Sequence, residues 1–126
     1  MNPLFLSWRN KGFIHQSGDE AMKENVISSI CNSGIVAVIR AEHPADAMRI
    51  AEACLEGGIR TIELTFTVPG AHRVIEELSR TFADSEMIVG AGTVLDSETA
   101  RIAILSGARF VVSPYFQLEA MKLCNR

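Results

Sequence analysis

Apolar and polar positions along the chain fall into a pattern that repeats. In the stretch AMKENVISSICNSG, residues 21–34, Met22, Val26, Ile27 and Ile30 recur at helical spacing, and Gly34 is placed to end that helix. IVAVIR, residues 35–40, is a short β-branched apolar run and predicts a strand. The following HPADAM puts Pro44 in the first turn of a new helix and Asp46 near its positive end, and Gly57 and Gly58 stop it. The alternation then continues. TIELTFT predicts a strand, PGAHRVIEELSRTF a helix, MIVGAGTV a strand, DSETARIAILSG a helix, RFVVS a strand, and YFQLEAMKLCNR a last helix.

The strands begin near residues 35, 61, 87 and 109, so one unit is 22 to 26 residues long. LEGGIRTIE and LSGARFVVS, offset by 50 positions, both read as helix end, glycine, then strand. Strand and helix alternating at this pitch predict βαβ units with parallel strands covered on both faces. An open doubly wound sheet would be favoured by a GxGxxG turn after the first strand, but RAEHPAD follows it, without a glycine. A (β/α) barrel carries its polar functional groups at the C-terminal strand ends, which is where this chain places its unusual residues. The fold expected is therefore α/β and barrel-type: about four βα units preceded by an N-terminal helix.

Length and charge narrow the field. The 126 residues suit one domain, and a closed eight-stranded barrel needs ~200 or more. Hydrophobic residues at 48% and charged residues at 21% describe an ordinary globular chain. Twelve Lys and Arg against fifteen Asp and Glu give a net charge of -3, which argues against nucleic acid as a partner. No apolar run approaches the ~18 residues of a membrane span, and the start MNPLFLSWRNKGF lacks the order of a signal peptide. Cys31, Cys54 and Cys124 are widely spaced and odd in number, and suggest reduced thiols in a cytoplasmic protein without a metal site. Residues 1–18 are expected to form a loose or weakly docked extension, and residues 19–126 the barrel-type domain.

The four strands end in Arg40, in Glu63 through Thr67, in Thr93 and in Ser113, so four neighbouring strands deliver polar groups to one rim. Period-two alternation sends Thr61, Glu63, Thr65 and Thr67 to one face of their strand and Ile62, Leu64 and Phe66 to the other. The apolar face suits the helices, which points Glu63 inward. A carboxylate there must be paired, have a raised pKa, or face a wet site. Two readings stay open: a proton-passing Glu63 with Arg40 holding a substrate carboxylate or phosphate, or a Glu63–Arg40 ion pair that only ties strands together. Thr93 is open in the same way, as a site hydroxyl or a helix cap. His43 and His72 fall near helix starts without a nucleophile at a recognisable spacing, and the GAGT glycines read first as close packing.

Taken together, GIVAVIRAEHPADAMRIAEACLEGGIRTIELTFTVPGA and IVGAGTVLDSETARIAILSGARFVVSP closely resemble the bacterial 2-keto-3-deoxy-6-phosphogluconate (KDPG) and 4-hydroxy-2-oxoglutarate (KHG) aldolases. The resemblance runs from about residue 22 to residue 126. It implies a (β/α)8 barrel, usually trimeric, that cleaves a 2-keto-4-hydroxy acid into pyruvate and an aldehyde by class I, Schiff-base chemistry without cofactor or metal. By this likeness Glu63 corresponds to the glutamate that shuttles protons, Thr93 to the threonine contacting the pyruvate part, and Arg40 to an arginine near the substrate carboxylate or phosphate. Ser113 belongs to the SP pair after the fourth strand, and Thr67 stands where some members carry an arginine. The IELTFT motif argues against other phosphate-binding barrel enzymes, such as epimerases or thiazole-pathway synthases.

The departures are as informative. The family's Schiff-base lysine lies on the sixth strand, whereas the lysines here are Lys11, Lys23 and Lys122, none at a strand end. Without an amine to form the protonated imine there is no electron sink for the breaking carbon–carbon bond, so this chain is expected to be inactive alone. SPYF places Tyr115 where the family has a glycine, which would obstruct the rim or strain the turn. Four strands leave two open parallel edges. Self-pairing, or docking of a separate C-terminal half, is the alternative expectation.

Overall fold

A computed structural model of the chain describes residues 4–7 and 16–125, with side chains from residue 25 onward. The elements run β1 (Leu4–Ser7), α1 (Gln16–Ser33), β2 (Ala37–Ile39), α2 (Pro44–Glu56), β3 (Thr61–Thr65), α3 (Ala71–Thr81), β4 (Ile88–Gly92), α4 (Ser97–Leu105), β5 (Phe110–Ser113) and α5 (Leu118–Cys124). The four repeated units of the sequence pattern are β2–α2 through β5–α5. Their strands lie in one sheet of order β1-β5-β4-β3-β2, so β2 to β5 are parallel and each neighbours the next in sequence. An order without reversal has no switch point of the doubly wound kind, and it matches a segment of a (β/α) barrel.

The expected extension is partly docked. β1 pairs antiparallel with β5, from Leu4 opposite Ser113 to Ser7 opposite Phe110, and α1 starts at Gln16. The outer edge of β5 supplies the backbone partners that LFLS takes up as a strand. Trp8 and Lys11 lie outside the described residues.

One face of the sheet carries Ile39, Ile62, Leu64, Val89, Ala91 and Val111, packed against Ala47 and Ala51 of α2, Val74, Ile75 and Leu78 of α3, Ala100 and Ala103 of α4, and Ala120 of α5. Small residues on α2 and α4 let those helices approach the strands closely. The opposite face is covered at the strand starts by α1, through Val26 and Ile30 against Ile88, Phe110 and Val36. Toward the strand ends that second face bears the polar residues. Val38, level with Glu63 across the β2–β3 pairing, is 54% exposed there.

Helix ends follow local chemistry. α1 stops at Gly34, whose left-handed backbone (φ +67°) an L side chain rarely adopts. α4 starts with Asp96 as its cap, and hydrogen bonds from the Thr99 side chain and from the Thr99 N–H, the latter at 2.6 Å, hold its carboxyl below the ordinary pKa.

Candidate active site

Glu63 sits at the centre of β3, where its neighbours Ile62 and Leu64 are both buried on the helix side. Alternation therefore forces the carboxyl to the opposite face, and that is where it lies, 9% exposed. Across the β3–β4 pairing it meets glycines, with Gly90 directly opposite and Gly92 two residues on. A Cβ on Gly92 would overlap the Glu63 carboxyl, and a Cβ on Gly90 would overlap the ring of Phe110. The flanking strands thus lay side chains over the bare backbone of β4, and the packing expected of the GAGT glycines is found.

Glu63 has no ion-pair or hydrogen-bond partner among the described residues. Burial pushes its pKa up from the ordinary glutamate value, with no nearby cation to offset it. Arg40, beyond the end of β2, is exposed and makes no ion pair with it, so the strand-tying salt bridge left open by the sequence does not form.

Three hydroxyls gather at the strand ends next to this carboxyl. Thr65 Oγ1 lies 2.9 Å from Thr93 Oγ1 and 3.0 Å from Thr67 Oγ1. The three groups hold three protons and share two contacts, so one proton is left to donate outward. Thr93 reaches Thr65 from a left-handed backbone, φ +56°, the sole non-glycine positive φ among the described residues. The helix-capping reading of Thr93 gives way, because Asp96 caps α4.

Ser113 is buried at the end of β5 and donates its hydroxyl to the Tyr115 carbonyl at 2.8 Å, which closes the turn. Tyr115 in turn donates its hydroxyl to the Leu95 carbonyl at 2.7 Å. The turn takes Tyr115 without a positive φ, so the strain expected there is absent. The side chain instead ties the loop after β5 to the loop after β4, and lines a cavity of about 20 Å³ with Ser113 and Val94. His43 occupies the N-cap position of α2 without a side-chain cap bond. Lys122 is on α5, paired with Glu119 at 2.8 Å.

The structure thus brings Glu63, Thr67 and Thr93 together, keeps Ser113 in the adjacent turn, and leaves Arg40 at the rim's exposed margin. Sequence reasoning placed Thr65 on this face but gave no role to it, and it is the hub of the hydroxyl cluster. The signal was present, since alternation puts it on the face of Glu63.

A buried carboxyl with a raised pKa and a cluster of three hydroxyls lie at the C-terminal ends of parallel strands, which is where (β/α) barrels build their sites. The family model for KDPG and KHG aldolases matches residues 26–126, and the chain belongs to that family. A 2-dehydro-3-deoxy-phosphogluconate aldolase of Treponema pallidum is 39% identical over 90 residues, covering 71% of this chain and 42% of the relative. One from Haemophilus influenzae is 32% identical over 102 residues, covering 81% and 47%. Among solved structures, a Legionella pneumophila KDPG aldolase with pyruvate captured as a covalent carbinolamine superposes with a TM-score of 0.64 at 35% identity, covering 70% of this chain and 42% of that one. A Zymomonas mobilis aldolase with 3-phosphoglycerate gives 0.68 at 31% identity, covering 77% and 45%. The chain spans less than half the length of these relatives.

Proposed function

We propose that this chain carries the proton-transfer and keto-acid-contacting part of a class I aldolase site, acting in the cleavage of a 2-keto-4-hydroxy acid to pyruvate and an aldehyde. KDPG, giving glyceraldehyde 3-phosphate, and 4-hydroxy-2-oxoglutarate, giving glyoxylate, are the substrates in view. The observation that carries this reading is the buried, unpaired carboxyl of Glu63 beside the Thr65–Thr67–Thr93 hydroxyls.

In class I chemistry an amine adds to the keto carbon, loses water and becomes a protonated imine that accepts the electron pair of the breaking C3–C4 bond. Glu63, with its raised pKa, is suited to give a proton to the departing hydroxyl of the carbinolamine and to take one from the C4 hydroxyl as that bond breaks. The outward hydroxyl proton of the threonine cluster and Arg40 would hold the carboxylate end, with Ser113 shaping the adjoining turn. With Lys122 paired to Glu119 on α5, the amine in this reading is supplied from elsewhere than these strand ends. The expected setting is cytoplasmic. Among the described residues no helix is long and apolar enough to cross a membrane.

Two measurements test the proposal. Titrating pyruvate into the isotopically labelled chain should shift the amides of Thr65, Thr67 and Thr93 more than those of α2 and α3; no shift at the rim would sink it. Incubating the chain with pyruvate and borohydride and weighing it should give no adduct, whereas a pyruvyl group on Lys11, Lys23 or Lys122 accompanied by turnover would refute the external amine.

A further inference from the structure

We propose that Gly92 is the positioning residue for Glu63: its missing side chain is the space in which the carboxyl is held over β4, off the solvent and toward the threonine cluster. The proposal rests on the aldolase reading for its purpose, while its geometry stands without it.

Glycine is ordinarily required for one of two reasons, an unusual backbone or a close approach. Gly92 is not among the residues with positive φ, so its backbone would accept an L side chain. The requirement is therefore spatial. The three atoms that a Cβ at this position would meet first all belong to one side chain: Glu63 Oε1, Cδ and Cγ. Gly90 meets a different constraint, the ring of Phe110 in the small apolar cluster beneath α1. The two glycines of β4 thus do separate jobs, one for packing and one for placing an ionisable group.

The setting of that group is otherwise neutral. β2 puts Val38 level with it and β4 puts Gly90 there, while β3 itself contributes Thr61 and Thr65 on the same face. Arg40 is exposed at the end of β2 and unpaired with it. The raised pKa of Glu63 follows from burial alone, so moving the carboxyl off Gly92 and into water should return it toward that of an exposed glutamate.

A double-mutant cycle in the 126-residue chain tests this. The carboxyl of Glu63 is followed by carbon-detected NMR as a function of pH, and thermal midpoints are recorded for the parent, Gly92→Ala, Glu63→Ala and the pair. Expected are a fall of the Glu63 titration midpoint in Gly92→Ala, a lower thermal midpoint for that variant, and disappearance of the thermal loss once Glu63 is also alanine. If Gly92→Ala alone fails to fold, recovery of folding in the double variant carries the same meaning. An unchanged Glu63 titration in Gly92→Ala, or an equal thermal loss with and without the glutamate side chain, would overturn the proposal. Failure of pyruvate to perturb the rim would strike the aldolase reading and leave this cycle untouched.

Discussion

Thr93 holds a backbone conformation, φ +56°, that β-branched residues avoid, at a cost of about 1–2 kcal/mol. Its hydroxyl contact to Thr65 returns about 1 kcal/mol. Strain kept at such a position places a hydroxyl where an ordinary backbone would not. Replacing Thr93 by glycine removes both terms, so chemical denaturation should show a stability change within about 1 kcal/mol. Pyruvate binding at the rim, read by NMR titration, should weaken at least ~10-fold, the effect of losing roughly 1.4 kcal/mol of contact. Parallel losses of stability and binding would count against a site role. At this scale the chain was legible where alternation decides direction, as at Glu63, and illegible where backbone conformation does. Nothing in the letters GAGT announces which residue turns left-handed, or that the tyrosine of SPYF would bridge to Leu95.

Elements were read more securely than residues. The four βα units have apolar strands bounded by glycine and proline, and each helix buries a face whose period is visible in the sequence, as with Val74, Ile75 and Leu78 in α3. β1 was missed because four residues carry too little pattern, and because its partner strand is over a hundred positions away. Its pairing has a measurable consequence. In a chain lacking residues 1–15, hydrogen exchange in the segment 110–113 should speed up at least ~10-fold at the amides turned away from β4, since an opened edge leaves them to water. Exchange in β3 and β4 should not change. Equal protection of β5 in the shortened chain, with light scattering showing a monomer, would mean that β1 adds nothing there.

At the scale of the whole molecule, the sheet is built from neighbours in sequence, and its inner face toward the strand ends holds the one strand-centre carboxyl. A glutamate whose pKa is raised by folding binds protons more readily in the folded state than in the unfolded one. Stability from this group is therefore lost as pH rises from the ordinary glutamate value through the raised one. Glu63→Gln should leave stability unchanged below that window and raise it above, as read from urea midpoints across pH. A variant equally stable with the parent at neutral pH would show that the carboxyl is not buried in solution. The order of the strands bears also on how the chain is made. β2, β3, β4 and β5 each find their partner in the unit just completed, so the parallel sheet can assemble step by step as it leaves the ribosome. Leu4–Ser7, made ahead of all four parallel strands, must wait for β5, the last of the four. The strand of this sheet that is synthesised first is thus the one that is zipped in last.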